Sequence, residues 1–146
     1  MPEGFDPLKL ENQICFPLYA CSREMIKLYK PHLDRLDLTY TQYITMMVLW
    51  EEKCVCVKEL GERLFLDSGT LTPLLKKLEA KGLVTRERSK EDERSLDVRI
   101  TSAGEALRAE ALRVPEAMAG CSPISPEEAG LLYGILYKML GAYREN

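Results

Sequence analysis

The sequence predicts a mainly α fold with one small β-hairpin wing: a winged helix-turn-helix set between further helices. Three observations predict it. Two short helical stretches, residues 58–65 and 67–81, follow one another across a tight turn, as in a helix-turn-helix. Beyond them Leu96, Val98 and Ile100 alternate with Asp97 and Arg99, the period-two pattern of a half-buried strand. Residues 83–88 supply its partner, and the polar run Ser89-Lys90-Glu91-Asp92-Glu93-Arg94 supplies the hairpin tip.

The remaining elements follow in order. Residues 8–33 are helical in pattern, with Ile14, Leu18, Cys21, Met25 and Leu28 stepping along one apolar face. Asp6-Pro7 offers an N-cap and a first-turn proline. Pro17 cannot donate to the carbonyl of Gln13, so it predicts either a kink or a later start near Cys15. Pro31 marks the expected exit. Thr39 and Gln42 form a capping box that opens a largely apolar, inward-lying helix through Trp50. Cys54-Val55-Cys56-Val57 reads as a very short extended piece. In the stretch 67–81, Asp67 or Ser68 caps, Leu71, Leu74, Leu75 and Leu78 form the buried stripe, Pro73 threatens a bend, and Gly82 closes. A helix capped by Thr101 or Ser102 is expected to run to about Ala119, ended by Gly120. Ser125-Pro126-Glu127-Glu128 is a second capping box and opens the last helix, with Leu132, Leu136, Met139 and Tyr143 on one side.

The 146 residues are the size of one domain, 46% hydrophobic and 29% charged. Only residues 1–5 read as disordered. No apolar run is long enough to span a bilayer, and the first residues lack the basic and apolar regions of a signal peptide, so a cytoplasmic location is expected. Five cysteines, an odd number in such a chain, argue against a structural disulfide framework. Cys21 reads as core. Cys54 and Cys56 share a strand face, but with His32 the single histidine there is no second ligand pair, so neither metal nor cofactor is expected.

The formal net charge of −3 by itself speaks against nucleic acid. A local face matters more than the sum, and residues 76–99 hold eight basic against six acidic side chains. A helix that buries its leucines and leaves Ser68, Thr70, Thr72, Lys76 and Lys77 outward offers hydroxyls and ammonium groups to bases and phosphates. Arg86 and Arg88 extend that face along the first wing strand. At the tip, Asp92 stands two residues before Arg94, where a carboxylate can orient a guanidinium toward a narrow minor groove.

At this point the chain resembles a known family. LDSGTLTPLLKKLEAKGLVTRERSKEDERSLDVRIT, residues 66–101, resembles the winged helix of the multiple-antibiotic-resistance regulators (MarR family). LENQICFPLYACSREM and LTYTQYITMMVLWE resemble the organic-hydroperoxide-resistance regulators (OhrR group) within it, with Thr41 standing where that group usually has proline. The resemblance implies a MarR-like homodimer, with a winged helix over about 40–101 and dimerisation helices over about 8–33 and 102–146. It implies a repressor that binds a pseudo-palindromic operator in double-stranded DNA and releases it when hydroperoxide, the inducer, oxidises a reactive Cys15. Tyr29 and Tyr40 match the tyrosines that hydrogen-bond the reactive sulfur in the family, and Asp92 and Arg94 match its wing pair. Cys121 falls where one branch of the group has a resolving thiol; the other branch uses a small thiol instead.

A thiolate, not a thiol, attacks peroxide, and unpaired backbone donors at a helix start favour that anion. The sulfenic acid so formed condenses with a second thiol. Two competing readings stay open on sequence: a regulator of the same fold released by a small aromatic ligand, and a thiol peroxidase enzyme.

Overall fold

The computed structural model describes residues 4–145, so the expected disorder of residues 1–5 lies largely outside the described residues. After a 3₁₀ turn at Leu10–Asn12 come α1 (Cys15–Asp34), α2 (Tyr40–Glu52), β1 (Cys54–Cys56), α3 (Val57–Leu64) and α4 (Ser68–Ala80). Then follow β2 (Val84–Arg88), β3 (Leu96–Ile100), α5 (Ser102–Ala111), α6 (Arg113–Ala119) and α7 (Pro126–Arg144).

Three boundaries are decided at prolines; one selects between alternatives the sequence left open, and two correct its reading. Of the two starts left open for the first helix, the later one is found. Asp6 accepts the Leu8 N–H at 2.9 Å and makes a turn, not a helix cap. Helix α1 begins at Cys15, which makes Pro17 its third residue, where a helix N–H has no intrahelical partner anyway. Pro31 does not end the helix. It lies inside α1, which continues to Asp34 and carries Leu33 into the core. The single helix expected over residues 102–119 is two helices broken at Leu112. Pro115 explains the break, since it has no N–H for the carbonyl of Ala111.

Both capping boxes form. Thr39 Oγ1 accepts the Gln42 N–H at 3.3 Å while Gln42 Oε1 accepts the Thr39 N–H at 3.0 Å. Ser125 and Glu128 do the same at α7. Pro73 leaves α4 one helix, and the chain leaves α4 through Gly82 at φ +74°, a conformation that costs glycine little.

The sheet has the order β1-β3-β2, antiparallel throughout. Val55 pairs with Val98, and Val84 with Ile100, so the wing hairpin gains a third strand from the short Cys54–Cys56 segment. The core lies where α2, α3, α4 and this sheet meet. Met46, Leu49, Leu60, Leu71, Leu75, Leu78, Val84 and Val98 are fully buried there. Each such aliphatic side chain contributes about 1.5–3 kcal/mol by leaving water.

Helix α5 is held against this core by polar and steric contacts, among them an ion pair of Glu105 with Lys53 at 2.6 Å. Trp50 Nε1 donates to the Gly104 carbonyl at 2.8 Å. A Cβ on Gly104 would lie 2.3 Å from the Leu83 carbonyl oxygen and 2.7 Å from Ile100 Cγ1, so only glycine allows this approach to the wing root. The two outer helices are different. Helix α7 buries no residue and α1 only Leu33, while Ile14 is 83% and Leu131 71% exposed. Apolar surface of that extent marks an interaction face. Cys21, expected in the core, is exposed on that face because none of the described residues covers it.

Gly104→Ala should destabilise the protein by about 1–3 kcal/mol, the usual cost of overpacking. Urea unfolding should show a lower midpoint at unchanged slope. An unchanged midpoint would contradict the close approach.

Candidate nucleic-acid interface and redox centre

The outward face of α4 is set by its buried one. Asp67 caps the helix by accepting the Thr70 N–H at 2.7 Å, and the four leucines of the stripe are buried. Ser68, Thr70, Thr72, Lys76 and Lys77 are all exposed on the opposite side. The free N–H groups of the first turn add positive potential there.

On the wing, the predicted basic residues divide. Arg88 and Arg94 are exposed. Arg86 is not free for a phosphate: its guanidinium donates to Glu79 Oε1 at 3.1 Å, its N–H donates to Glu79 Oε2 at 2.9 Å, and its side chain is largely buried. It joins the wing root to α4. Glu79 was not picked out from the sequence, where seven residues and a turn separate the partners and nothing local marks the pair. Asp92 also acts differently from expectation. Its carboxylate accepts the Arg94 main-chain N–H at 3.0 Å and so shapes the hairpin tip; among the described residues the Arg94 guanidinium makes no ion pair. A groove of about 1180 Å³ between α3, the start of α4 and the wing root is lined by Ser68, Asp92, Arg94 and Leu96. Its far end is closed by Arg144 of α7, stacked over the Phe65 ring at 4.8 Å.

Cys15 is the first residue of α1, with an exposed thiol. The preceding residue, Ile14, gives no side-chain cap, the Phe16 N–H donates to the Gln13 carbonyl at 3.2 Å and Pro17 has no N–H, so the first turn keeps few free donors for an anion. Tyr29 and Tyr40 are half-buried and touch edge to face, with ring centroids 5.1 Å apart. Tyr43 and Trp50 continue the aromatic row along α2. Burial first, and then the neighbouring Tyr29 phenol, pushes the Tyr40 hydroxyl above its ordinary value of 10. Burial does the same for Tyr43. These phenols therefore stay protonated, as donors, at neutral pH.

The structure does not bring Cys15 to the tyrosines within one subunit. Tyr29 stands fourteen residues further along the same continuous helix, and at 1.5 Å per residue that is about 21 Å. Cys121 is exposed between α6 and α7, with its Sγ donating to the Ala117 carbonyl at 3.5 Å. Cys54 and Cys56 are half-buried beside β3. Among the described residues no three His, Cys, Asp or Glu side chains are grouped to hold a metal.

A solvent-facing helix packed through its leucine stripe beside an antiparallel hairpin that exposes Arg88 and Arg94 has the form of a DNA-binding transcriptional regulator of the winged-helix class. A family model of the transcriptional regulators SarA/Rot matches residues 27–110. The chain is 51% identical over 140 residues to the organic hydroperoxide resistance transcriptional regulator of Bacillus subtilis, covering 96% of this chain and 95% of that one. Among solved structures it is similar to reduced AbfR of Staphylococcus epidermidis bound to DNA, with 36% identity, TM-score 0.74, and 92% and 93% of the two chains covered. The disulfide-formed state of AbfR matches with TM-score 0.62 at 36% identity, covering 94% and 93%. The chain belongs to the MarR family of transcriptional regulators, close to its organic-hydroperoxide-resistance and AbfR/SarZ redox members.

The Arg86 guanidinium, with the Arg86 N–H, holds the Glu79 carboxyl below its ordinary value of 4.5. A depressed carboxyl stabilises the fold fully above that value, and the contribution is lost as pH falls through the folded-state value. A carbon-detected NMR titration should place the Glu79 midpoint below 4.5. Arg86→Met should return it toward the ordinary value; equal midpoints in the two proteins would exclude the pair.

Proposed function

We propose that the protein is a single-domain homodimeric repressor whose Cys15 senses organic hydroperoxide and whose oxidation releases a pseudo-palindromic operator. The observation that carries this reading is an exposed thiol at the first turn of a helix whose apolar face only a second subunit can cover. With the tyrosine pair about 21 Å further along the same helix, the phenols that hold the sulfur come from the other subunit. Sensor and dimer interface are then one structure.

The Cys15 thiolate attacks the outer peroxide oxygen. The O–O bond breaks, alcohol leaves after taking up a proton, and sulfenic acid remains. A second thiol displaces hydroxide from it, forming a disulfide and water. Cys121 of the partner subunit, exposed and in an interhelical linker, is the proposed second thiol; a small thiol is the other source. Either bond draws the sulfur from its phenol donors and shifts the interface helices. Half-sites on one face of B-DNA are about 34 Å apart, so two recognition helices displaced relative to each other no longer fit both.

The DNA contacts proposed are Ser68, Thr70, Thr72, Lys76 and Lys77 of α4, and Arg88 and Arg94 of the wing, with Asp92 shaping the tip. The similarity over 96% of the chain to a hydroperoxide-resistance regulator supports this assignment. The alternative inducer, a small aromatic ligand, has a cleft of about 330 Å³ beside Tyr43, Trp50 and Arg108 to occupy.

Operator binding followed by fluorescence anisotropy should weaken about 5–150-fold, the usual span of allosteric coupling, when cumene hydroperoxide is added. Cys15→Ser should bind as tightly and show no change. Release of the serine variant by hydroperoxide would sink the proposal, and release by an aromatic acid alone would select the alternative. Arg94→Ala should lower affinity and reduce the slope of log K against log salt by about one. Arg86→Ala should leave that slope unchanged, and a lowered slope would return Arg86 to the DNA face.

A further inference from the structure

We infer that Lys81 is a positioning residue that couples the tyrosine pair to the recognition helix, because its ammonium grips both sides of the α1–α2 turn. The inference rests on the redox reading above and adds the route by which the sensor reaches α4.

Lys81 moves with α4. It is the C-cap residue, its N–H donates to the Lys77 carbonyl at 3.1 Å, and the Leu83 N–H returns to the Leu78 carbonyl at 3.1 Å. Its side chain leaves the helix end and crosses to the α1–α2 turn. There the ammonium donates to the Asp37 carbonyl and lies 3.4 Å from Asp37 Oδ2 and 3.4 Å from Gln42 Oε1.

Each of those acceptors is fixed by a helix end. Asp37 sits in the left-handed region at φ 53° as α1 terminates, with the Leu38 N–H bonded to the Leu33 carbonyl at 3.1 Å. The direction of its carbonyl is therefore set by the last turn of α1. Gln42 is buried, and the oxygen that receives Lys81 is the one that accepts the Thr39 N–H and starts α2.

Tyr40 is the first residue of α2 and its ring rests on Tyr29 of α1. Any change in how the pair packs alters the crossing of α1 and α2 at the turn that Lys81 holds. The leucine contacts between α2 and α4 have no preferred direction and allow sliding. Two charge-assisted hydrogen bonds, with an ion pair to the Asp37 carboxylate beside them, do have one. The contact is a tertiary one, 39 and 44 residues apart in sequence.

The other polar bridge from the aromatic row, Trp50 to Gly104, ends at α5 and the wing root and does not touch the end of α4. It provides the comparison. Operator affinity is measured for full-length wild type, Lys81→Met and Trp50→Phe, each reduced and after cumene hydroperoxide. Hydrogen exchange is followed on the same samples at residues 36–43 and 78–83.

Wild type that fails to respond reads as failure of the redox proposal, and this inference falls with it. With wild type responding, Lys81→Met is expected to bind within about threefold of wild type when reduced. Its reduced-to-oxidised affinity ratio should shrink about fivefold or more, the lower edge of measurable coupling. The exchange change at 78–83 should vanish while that at 36–43 persists. A wild-type ratio in Lys81→Met, or loss of the ratio in Trp50→Phe alone, overturns the inference. If Lys81→Met binds poorly even when reduced, hydrogen exchange decides: an oxidation-dependent change that still reaches 78–83 overturns it, and one confined to 36–43 supports it.

Discussion

Helix α1 is one uninterrupted rod of twenty residues, and its rigidity governs the rest. It carries the exposed Cys15 thiol at its first residue and Tyr29 near its last turns. A hydrogen-bonded helix does not fold back on itself, so thiol and phenols of one chain never meet. On the proposed redox reading, the sensor is complete only when a second copy supplies the other half. The same rod exposes Phe16, Leu18, Met25 and Leu28 along its length, surface that a lone subunit leaves in water. Chemistry and association therefore rest on a single helix.

At the other end of α1 the environment reverses. Leu33, Leu36 and Leu38 enter the core that α2, α3, α4 and the sheet share. The aromatic row begins there with Tyr29 and Tyr40, and burial keeps the Tyr40 and Tyr43 hydroxyls protonated and able to donate. Directional contacts join the reading head to this region: Lys81 on the α1–α2 turn and Arg63 of α3 on Glu51 and Glu52 of α2, with Trp50 tied to Gly104 and Glu79 holding Arg86 inside the head. Apolar packing supplies the stability of the head. These polar contacts set its orientation, which is what two half-sites on DNA detect.

The DNA face illustrates the difference between having charge and offering it. Arg86 and Arg94 are alike in sequence, each in a polar stretch of the wing. Glu79 takes the first into the protein, while the second projects from a tip whose turn Asp92 shapes through the main chain. A net charge of −3 does not oppose this arrangement, because DNA meets a local face, and residues 76–99 hold eight basic against six acidic side chains.

The chain's own pattern determined the helix-turn-helix, the wing, both capping boxes and the leucine stripe of α4. Each is written in local periodicity and short-range hydrogen bonding, which neighbouring residues decide among themselves. The polar face of α4 follows from the same stripe, whereas the role proposed for Cys15 came from resemblance to a family and not from periodicity. Tertiary structure alone decided the rest. Pro31 was absorbed because Leu33 needed α1 to reach the core, and Cys21 was left outside because none of the described residues covers that face. Arg86 was claimed by Glu79, Gly104 was pressed against Leu83, and Lys81 met Asp37. These outcomes depend on which surfaces meet after the helices have packed, and residues seven to more than forty positions apart leave no periodic signal of their meeting.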